Sequence, residues 1–233
     1  MPTSNETVAL HTLFELMRSF GSEGGRSAAP RVHLCRISSA AGIELIRAAK
    51  AEGLPLTCDV GIHHVHLIDL DIGYFDAQCR LDPPLRSQRD RAAIRAALVD
   101  GTIDAICSDH TPVDDDAKLL PFGEAEAGAS GVELLLPLVV KWAEETKVSL
   151  VDALARVTHR AAAIVAGSAS IPTGRLDVGG AADLCLFAPE ERWTVAPERL
   201  RSQGKNSPFL GLEMKGRVRM TLVGGSVVHE VRG

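Results

Sequence analysis

Three short apolar runs, at residues 32–37, 56–60 and 103–107, are separated by two stretches of helical period, 39–51 and 88–99. Strands joined by helices run parallel, because a parallel pair needs a crossover of a dozen or more residues whereas an antiparallel pair closes through a tight turn. The chain is therefore expected to build an α/β fold on a parallel sheet of successive βα units. Another helix is expected over 6–18, where Leu10, Leu13, Phe14 and Met17 recur at helical spacing, and the Gly/Ser-rich stretch 21–29 reads as a loop. After the third run come an acidic, glycine-containing segment, 113–131, and helices over 132–145 and 150–163.

The character changes at Gly174. Segments 174–187 and 216–228 are rich in β-branched residues and punctuated by glycines, which suggests a small β-module appended to the α/β part. The expected organisation is thus 1–173 for the α/β unit and 174–233 for the module.

Composition narrows the function classes. The net charge of -5 is mild and its acids and bases are interspersed, so neither nucleic acid nor an anionic membrane is an implied partner. No run of eighteen or more apolar residues exists. The start, Met-Pro-Thr-Ser-Asn-Glu, shows no basic region followed by an apolar core, so a cytoplasmic location is expected. The five cysteines are odd in number, widely spaced and mostly inside apolar runs, as reduced core residues would be. No C-x-x-C pair points to a thiolate zinc site.

The chemistry concentrates where apolar runs end. Asp109 and His110 follow the third run, in Ala105-Ile-Cys-Ser-Asp-His-Thr-Pro-Val113. Ligands of parallel α/β folds sit outside the carboxyl ends of strands, so an acid there reads as catalytic; the alternative is a helix cap from Ser108, Asp109 or Thr111. Behind the second run stand His63, His64 and His66, imidazoles placed where a divalent metal would be held, or else a solvated cluster. His64 and His66 would share a face if the strand continued through them. Asp82-Pro-Pro-Leu-Arg86 is a rigid extended turn, and Asp114–Asp116 a solvated acidic run without EF-hand spacing. Gly123, Gly128 and Gly131 lack dinucleotide-site spacing, and no G-x-S-x-G elbow occurs.

Six segments, in order, resemble the C-terminal part of dihydroorotases of the amidohydrolase superfamily. His33-Leu-Cys-Arg-Ile-Ser-Ser39 is similar to H-x-x-H-V-S-T, Asp59-Val-Gly-Ile-His-His64 to E-V-x-P-H-H, and Asp82-Pro-Pro-Leu-Arg86 to N-P-P-L-R. Residues 101–113 resemble G-x-I-D-x-I-A-T-D-H-A-P-H, and the segments 121–133 and 204–211 match as well. The resemblance implies a partial TIM-type (β/α) barrel with its β-module, zinc as cofactor, and the interconversion of dihydroorotate and carbamoyl aspartate in pyrimidine biosynthesis. It makes His64 a metal ligand and Asp109 both a metal ligand and the proton shuttle. Arg36, Asp82, His110 and Gly128 become substrate-binding positions.

Three departures accompany it. A metal-binding histidine falls on Arg36, whose guanidinium cannot ligate a cation. The substrate-binding asparagine falls on Asp82, which places an anion where an anionic substrate would lie, and a carboxylate-binding histidine falls on Val113. Such losses resemble the non-catalytic dihydroorotase-like chains that scaffold aspartate transcarbamoylase in some bacteria, so the resemblance implies an impaired pseudoenzyme with that partner. Rival readings are a cyclic amide hydrolase with a single-metal site on His64 and Asp109, and a self-contained His64–His66 chelating pair. A full barrel takes about 250 residues, more than precede the module, so open strand edges and an oligomer are expected.

Overall fold

The structure, a computed structural model, describes residues 1–22, 30–166 and 174–231. Strands β1 (Val32–Leu34), β2 (Leu56–Gly61) and β3 (Ala105–Cys107) form a parallel sheet in the order β1-β2-β3. Register sets His33 beside Thr57, Asp59 beside Ala105 and Gly61 beside Cys107. As the alternation of strand and helix requires, the crossovers are helical: α2 (Ala40–Ala51) links β1 to β2, and α4 (Gln88–Asp100) leads into β3.

Both crossover helices begin at side-chain caps. The Ser39 hydroxyl accepts from the Gly42 N–H, and Ser87 forms a reciprocal capping box with Asp90. Gly101, at φ 87, ends α4 in the left-handed conformation that glycine adopts without a Cβ clash. α2 buries Ile43, Ile46 and Ala49, and α4 buries Ile94, Ala97 and Leu98. Each fully buried isoleucine or leucine contributes roughly 1.5–3 kcal/mol, so these faces fix the helices on the sheet.

Three elements depart from expectation. The first helix, α1, runs Thr3–Ser22, so it takes in the first two residues of the loop expected over 21–29; the rest of that loop lies outside the described residues. The histidine segment is neither a solvated cluster nor a continuing strand but a short helix, α3 (Ile62–His66), with every residue buried. The helix expected over 150–163 is broken into α6 (Leu150–Ala155) and α7 (His159–Ala166). At the break the Arg156 carbonyl accepts from Ile106 N–H at 3.1 Å, and its guanidinium donates to Ile103 O at 2.7 Å, so α6 ends by hydrogen-bonding the third strand.

α5 (Leu135–Thr146), preceded by a 3-10 turn at Val132–Leu134, buries Leu138, Val139 and Trp142. Beyond it, β4 (Leu184–Thr194), β5 (Glu213–Val223) and β6 (Ser226–Glu230) form an antiparallel sheet in that order. Gly224 and Gly225, at φ 53 and 83, make the β5–β6 connection; a two-residue hairpin loop with both φ positive requires residues of this kind. The linking segment returns to the parallel layer, where its Val195, Leu200 and Phe209, with Met214 of β5, join the main core. The parallel sheet has three strands and is open, so the described residues make part of an α/β layer and not a closed barrel. Among them, no helix is long and apolar enough to cross a membrane.

Candidate functional site

The carboxyl ends of the parallel strands carry the chemistry. β1 ends at Leu34, and Arg36 then turns with φ 57. Its N–H donates to Asp59 Oδ1 at 2.7 Å. Asp59 Oδ2 lies 3.0 Å from His33 Nε2, and His33 Nδ1 lies 2.8 Å from Thr57 Oγ1. Beyond β3, Asp109 also adopts a positive φ, 44, which aspartate tolerates better than most residues. A Cβ at Gly61 would stand 3.2 Å from Asp109 Oδ2 and 3.3 Å from its Cβ, so the glycine at the end of β2 makes room for the carboxylate.

Arg36 and Asp109, 73 residues apart in sequence, meet at this mouth. Arg36 Nη1 donates to Asp109 Oδ1 at 3.4 Å and to the Asp82 carbonyl at 2.9 Å. The Asp109 carboxyl sits above its ordinary range because burial outweighs the opposing pull of Arg36 and of the His64 ring.

His64 is buried; its Nε2–H donates to the Pro84 carbonyl at 3.2 Å, and its Nδ1 is buried without a hydrogen-bond partner. Burial lowers its pKa, opposed by the Pro84 carbonyl and by Asp109. The other two histidines face elsewhere. His63 stacks on Phe209 with centroids 5.8 Å apart, and burial lowers its pKa to about 3. His66 Nε2–H donates to Leu138 O at 2.9 Å, and burial lowers its pKa to about 4. The reading of His64 and His66 as a chelating pair is thus corrected: the helix removes the shared face a strand would have given them, and the Nε2 end of His66 is held on α5.

The remaining candidates serve the loops around the mouth. His110 Nδ1 accepts from the N–H groups of Gly131 at 3.1 Å and Val132 at 3.4 Å. Gly128, at φ 144, donates its N–H to Arg80 O at 2.9 Å, and a Cβ there would stand 2.7 Å from Thr111 O. Asp82 reaches the mouth through its carbonyl, on Arg36, while the residue is exposed. No helix begins at Ser108, Asp109 or Thr111, so none of them is the cap that the alternative reading required. A cavity of about 520 Å³ opens beside His110, Pro112 and Gly204, whereas the larger cavity, about 880 Å³, lies away from Asp109 against Trp193, Arg217 and His229.

Two positioning residues escaped the residue-by-residue reading. Asp59 holds both His33 and the Arg36 backbone. Buried Asn206 donates to Thr111 O at 3.1 Å and Gly128 O at 3.2 Å and accepts from Val113 N–H at 3.2 Å, pinning the segment after Asp109 to the 128–130 loop. Both lie in segments that carry the dihydroorotase resemblance, which was the available signal.

Residues 6–229 match the Amidohydrolase family. The chain belongs to that family. A dihydroorotase-like protein of Pseudomonas aeruginosa is 42% identical over 230 residues, 99% of this chain and 51% of that protein. A dihydroorotase of Geotalea daltonii is 38% identical over 199 residues, 85% of this chain and 46% of that protein. This amidohydrolase chain therefore spans about half the length of the curated relatives it matches. Among solved structures, the L-hydantoinase (dihydropyrimidinase) from Arthrobacter aurescens superposes with a TM-score of 0.87 at 26% identity, covering 99% of this chain and 50% of its own. The D-hydantoinase (dihydropyrimidinase) from a Thermus species, at 0.86 and 23% over 98% of this chain and 49% of its own, shares the fold.

Amidohydrolases are generally metal-dependent, and the donor atoms at the mouth decide whether such an ion fits. The orphaned Nδ1 of His64 suits a metal ligand, and Asp109 offers a carboxylate beside it. Against them, a guanidinium engages Asp109 Oδ1. A zinc site takes three or four protein donors, so the described residues at the mouth do not by themselves fit the family's metal.

Proposed function

We propose that this amidohydrolase chain is a catalytically impaired dihydroorotase-like protein of pyrimidine biosynthesis, cytoplasmic, and a structural partner of the aspartate transcarbamoylase catalytic chain. The observation that carries the reading is the Arg36–Asp109 pair. Hydrolysis of a cyclic amide needs a carboxylate free to take a proton from the attacking water. Here one Asp109 oxygen faces a guanidinium, at 3.4 Å, that cannot itself be deprotonated. The exposed Asp82 adds a like charge where an anionic substrate would approach. Support for the partnership comes from the resemblance to non-catalytic dihydroorotase-like chains, which share these losses. In this reading residues 1–173 are the barrel portion, residues 174–233 the module, and the protein works as an oligomer.

The test is to purify the full chain, assay dihydroorotate hydrolysis with zinc added, and ask whether aspartate transcarbamoylase co-purifies. Background-level turnover with co-purification is expected. Zinc-dependent turnover would overturn the impairment, and absence of the transcarbamoylase would overturn the partnership. The orphaned His64 nitrogen favours one rival, a cyclic amide hydrolase with a single-metal site on His64 and Asp109. Under that rival Asp109→Asn abolishes turnover.

A further inference from the structure

We propose that His33, Cys35 and Asp59 form a binding site for a divalent cation of the zinc class, on the parallel sheet beside the Asp109 mouth and built on donors other than His64 and Asp109. The proposal does not depend on the impaired reading of that mouth. Residues two apart on a strand share a face, and the register sets His33 beside Thr57. His33 and Cys35 from the β1 end, with Thr57 and Asp59 from β2, therefore line one face, while Leu34 and Cys58 between them are buried. One donor atom from each of His33, Cys35 and Asp59 lies within 4.8 Å of the other two. Tetrahedral zinc, with bonds of about 2.0–2.3 Å, spans donors roughly 3.5 Å apart, so sub-ångström to ångström adjustments close the site.

The surrounding hydrogen bonds orient two of the three donors. The Arg36 N–H takes Asp59 Oδ1 and leaves Oδ2 directed at His33 Nε2, 3.0 Å away. Thr57 Oγ1 takes His33 Nδ1 and fixes the ring so that Nε2 faces the same point. Metal-binding histidines and carboxylates are held in this manner by outer partners. The third donor, Cys35, is exposed and so open to an ion arriving from solvent. Burial, and then Asp59, raise its thiol above the ordinary range. A bound divalent cation inverts that balance: the sulfur–metal bond forms, the thiol proton leaves to solvent, and the His33–Asp59 hydrogen bond opens. Cys107 also faces Asp59, but its deeper burial raises its thiol much further. Histidine, thiolate and carboxylate together suit zinc or its cobalt and cadmium analogues over magnesium or calcium.

The experiment titrates cobalt into the full chain and reads near-ultraviolet thiolate-to-cobalt absorption, with zinc competition for affinity. About one ion per chain with that absorption is expected, lost in Cys35→Ser and retained in His64→Ala. Thr57→Val should weaken zinc by roughly 10–100-fold, as outer-partner losses do. Because Cys35 is exposed, Cys35→Ser leaves the fold intact, and far-ultraviolet circular dichroism verifies this. Cobalt binding without thiolate absorption, absorption that survives Cys35→Ser, or no binding each overturns the site. An ion at the Asp109 mouth would lack the thiolate signal and would depend on His64, so the two sites are told apart.

Discussion

The parallel layer and the antiparallel sheet draw on similar apolar residues and bury them very differently. In β2, Cys58 and Val60 are fully buried, while at the module's edge Val227 and Val228 remain 53% and 61% exposed and Leu186 on β4 48%. The parallel strands are covered by α2 and α4, as strands joined through helices must be. The antiparallel sheet is held mainly where β5 meets α5: Lys215 pairs with Glu144 at 2.7 Å, and a Cβ at Gly216 would touch Val140 at 3.2 Å. Stability therefore resides in the parallel layer, and the module borrows it through the segment between β4 and β5.

Phe209 is the sharpest place to break that arrangement, since it is 2% exposed and packs on both His63 and His66. Phe209→Ala should cost roughly 3–5 kcal/mol in urea unfolding of the whole chain. A loss confined to the module, leaving the helical signal cooperative and unshifted, would show that the two parts do not share a core.

Acid offers a graded version of the same test. His63 and His66 are neutral in the fold, with pKa lowered to about 3 and about 4 from an ordinary 6.5. Unfolded rings take up protons first as pH falls, so the stability they support is complete above pH 6.5 and is lost toward pH 4 and below. Each contributes a slope of about 1.4 kcal/mol per pH unit in that window. Unfolding midpoints at pH 7 and pH 5 should separate clearly, and His63→Phe should narrow the gap. An unchanged gap would remove His63 from the account.

The smallest effect belongs to the module's exposed edge. Val228→Thr should shift stability by no more than about 0.5 kcal/mol, and a larger loss in the same urea assay would mean that this edge is covered in solution.

The parallel layer was legible because its signals are local. Ser39 and Ser87 cap, Gly101 terminates, and the apolar period of 39–51 and 88–99 has one reading. Helix α3 was not legible: Gly61 gives no side-chain cap, and five buried residues fold as a helix under tertiary packing. Asp109 was found from its place at a strand end, yet its partner was not, because an ion pair across 73 residues leaves no trace in periodicity. The expectation of core cysteines held for Cys58 and Cys79 and failed for Cys35 and Cys185, which are exposed, the former because β1 stops one residue before it.

The turn at residue 36 is fastened by its own N–H on Asp59, not by whatever side chain it carries. Histidine enters the left-handed region more readily than most residues. A histidine at this turn would thus exchange a cation supplied by the chain for a nitrogen that accepts one, with the strand end left standing. Position 36 is a place where this lineage can alter the mouth's charge without renegotiating its architecture.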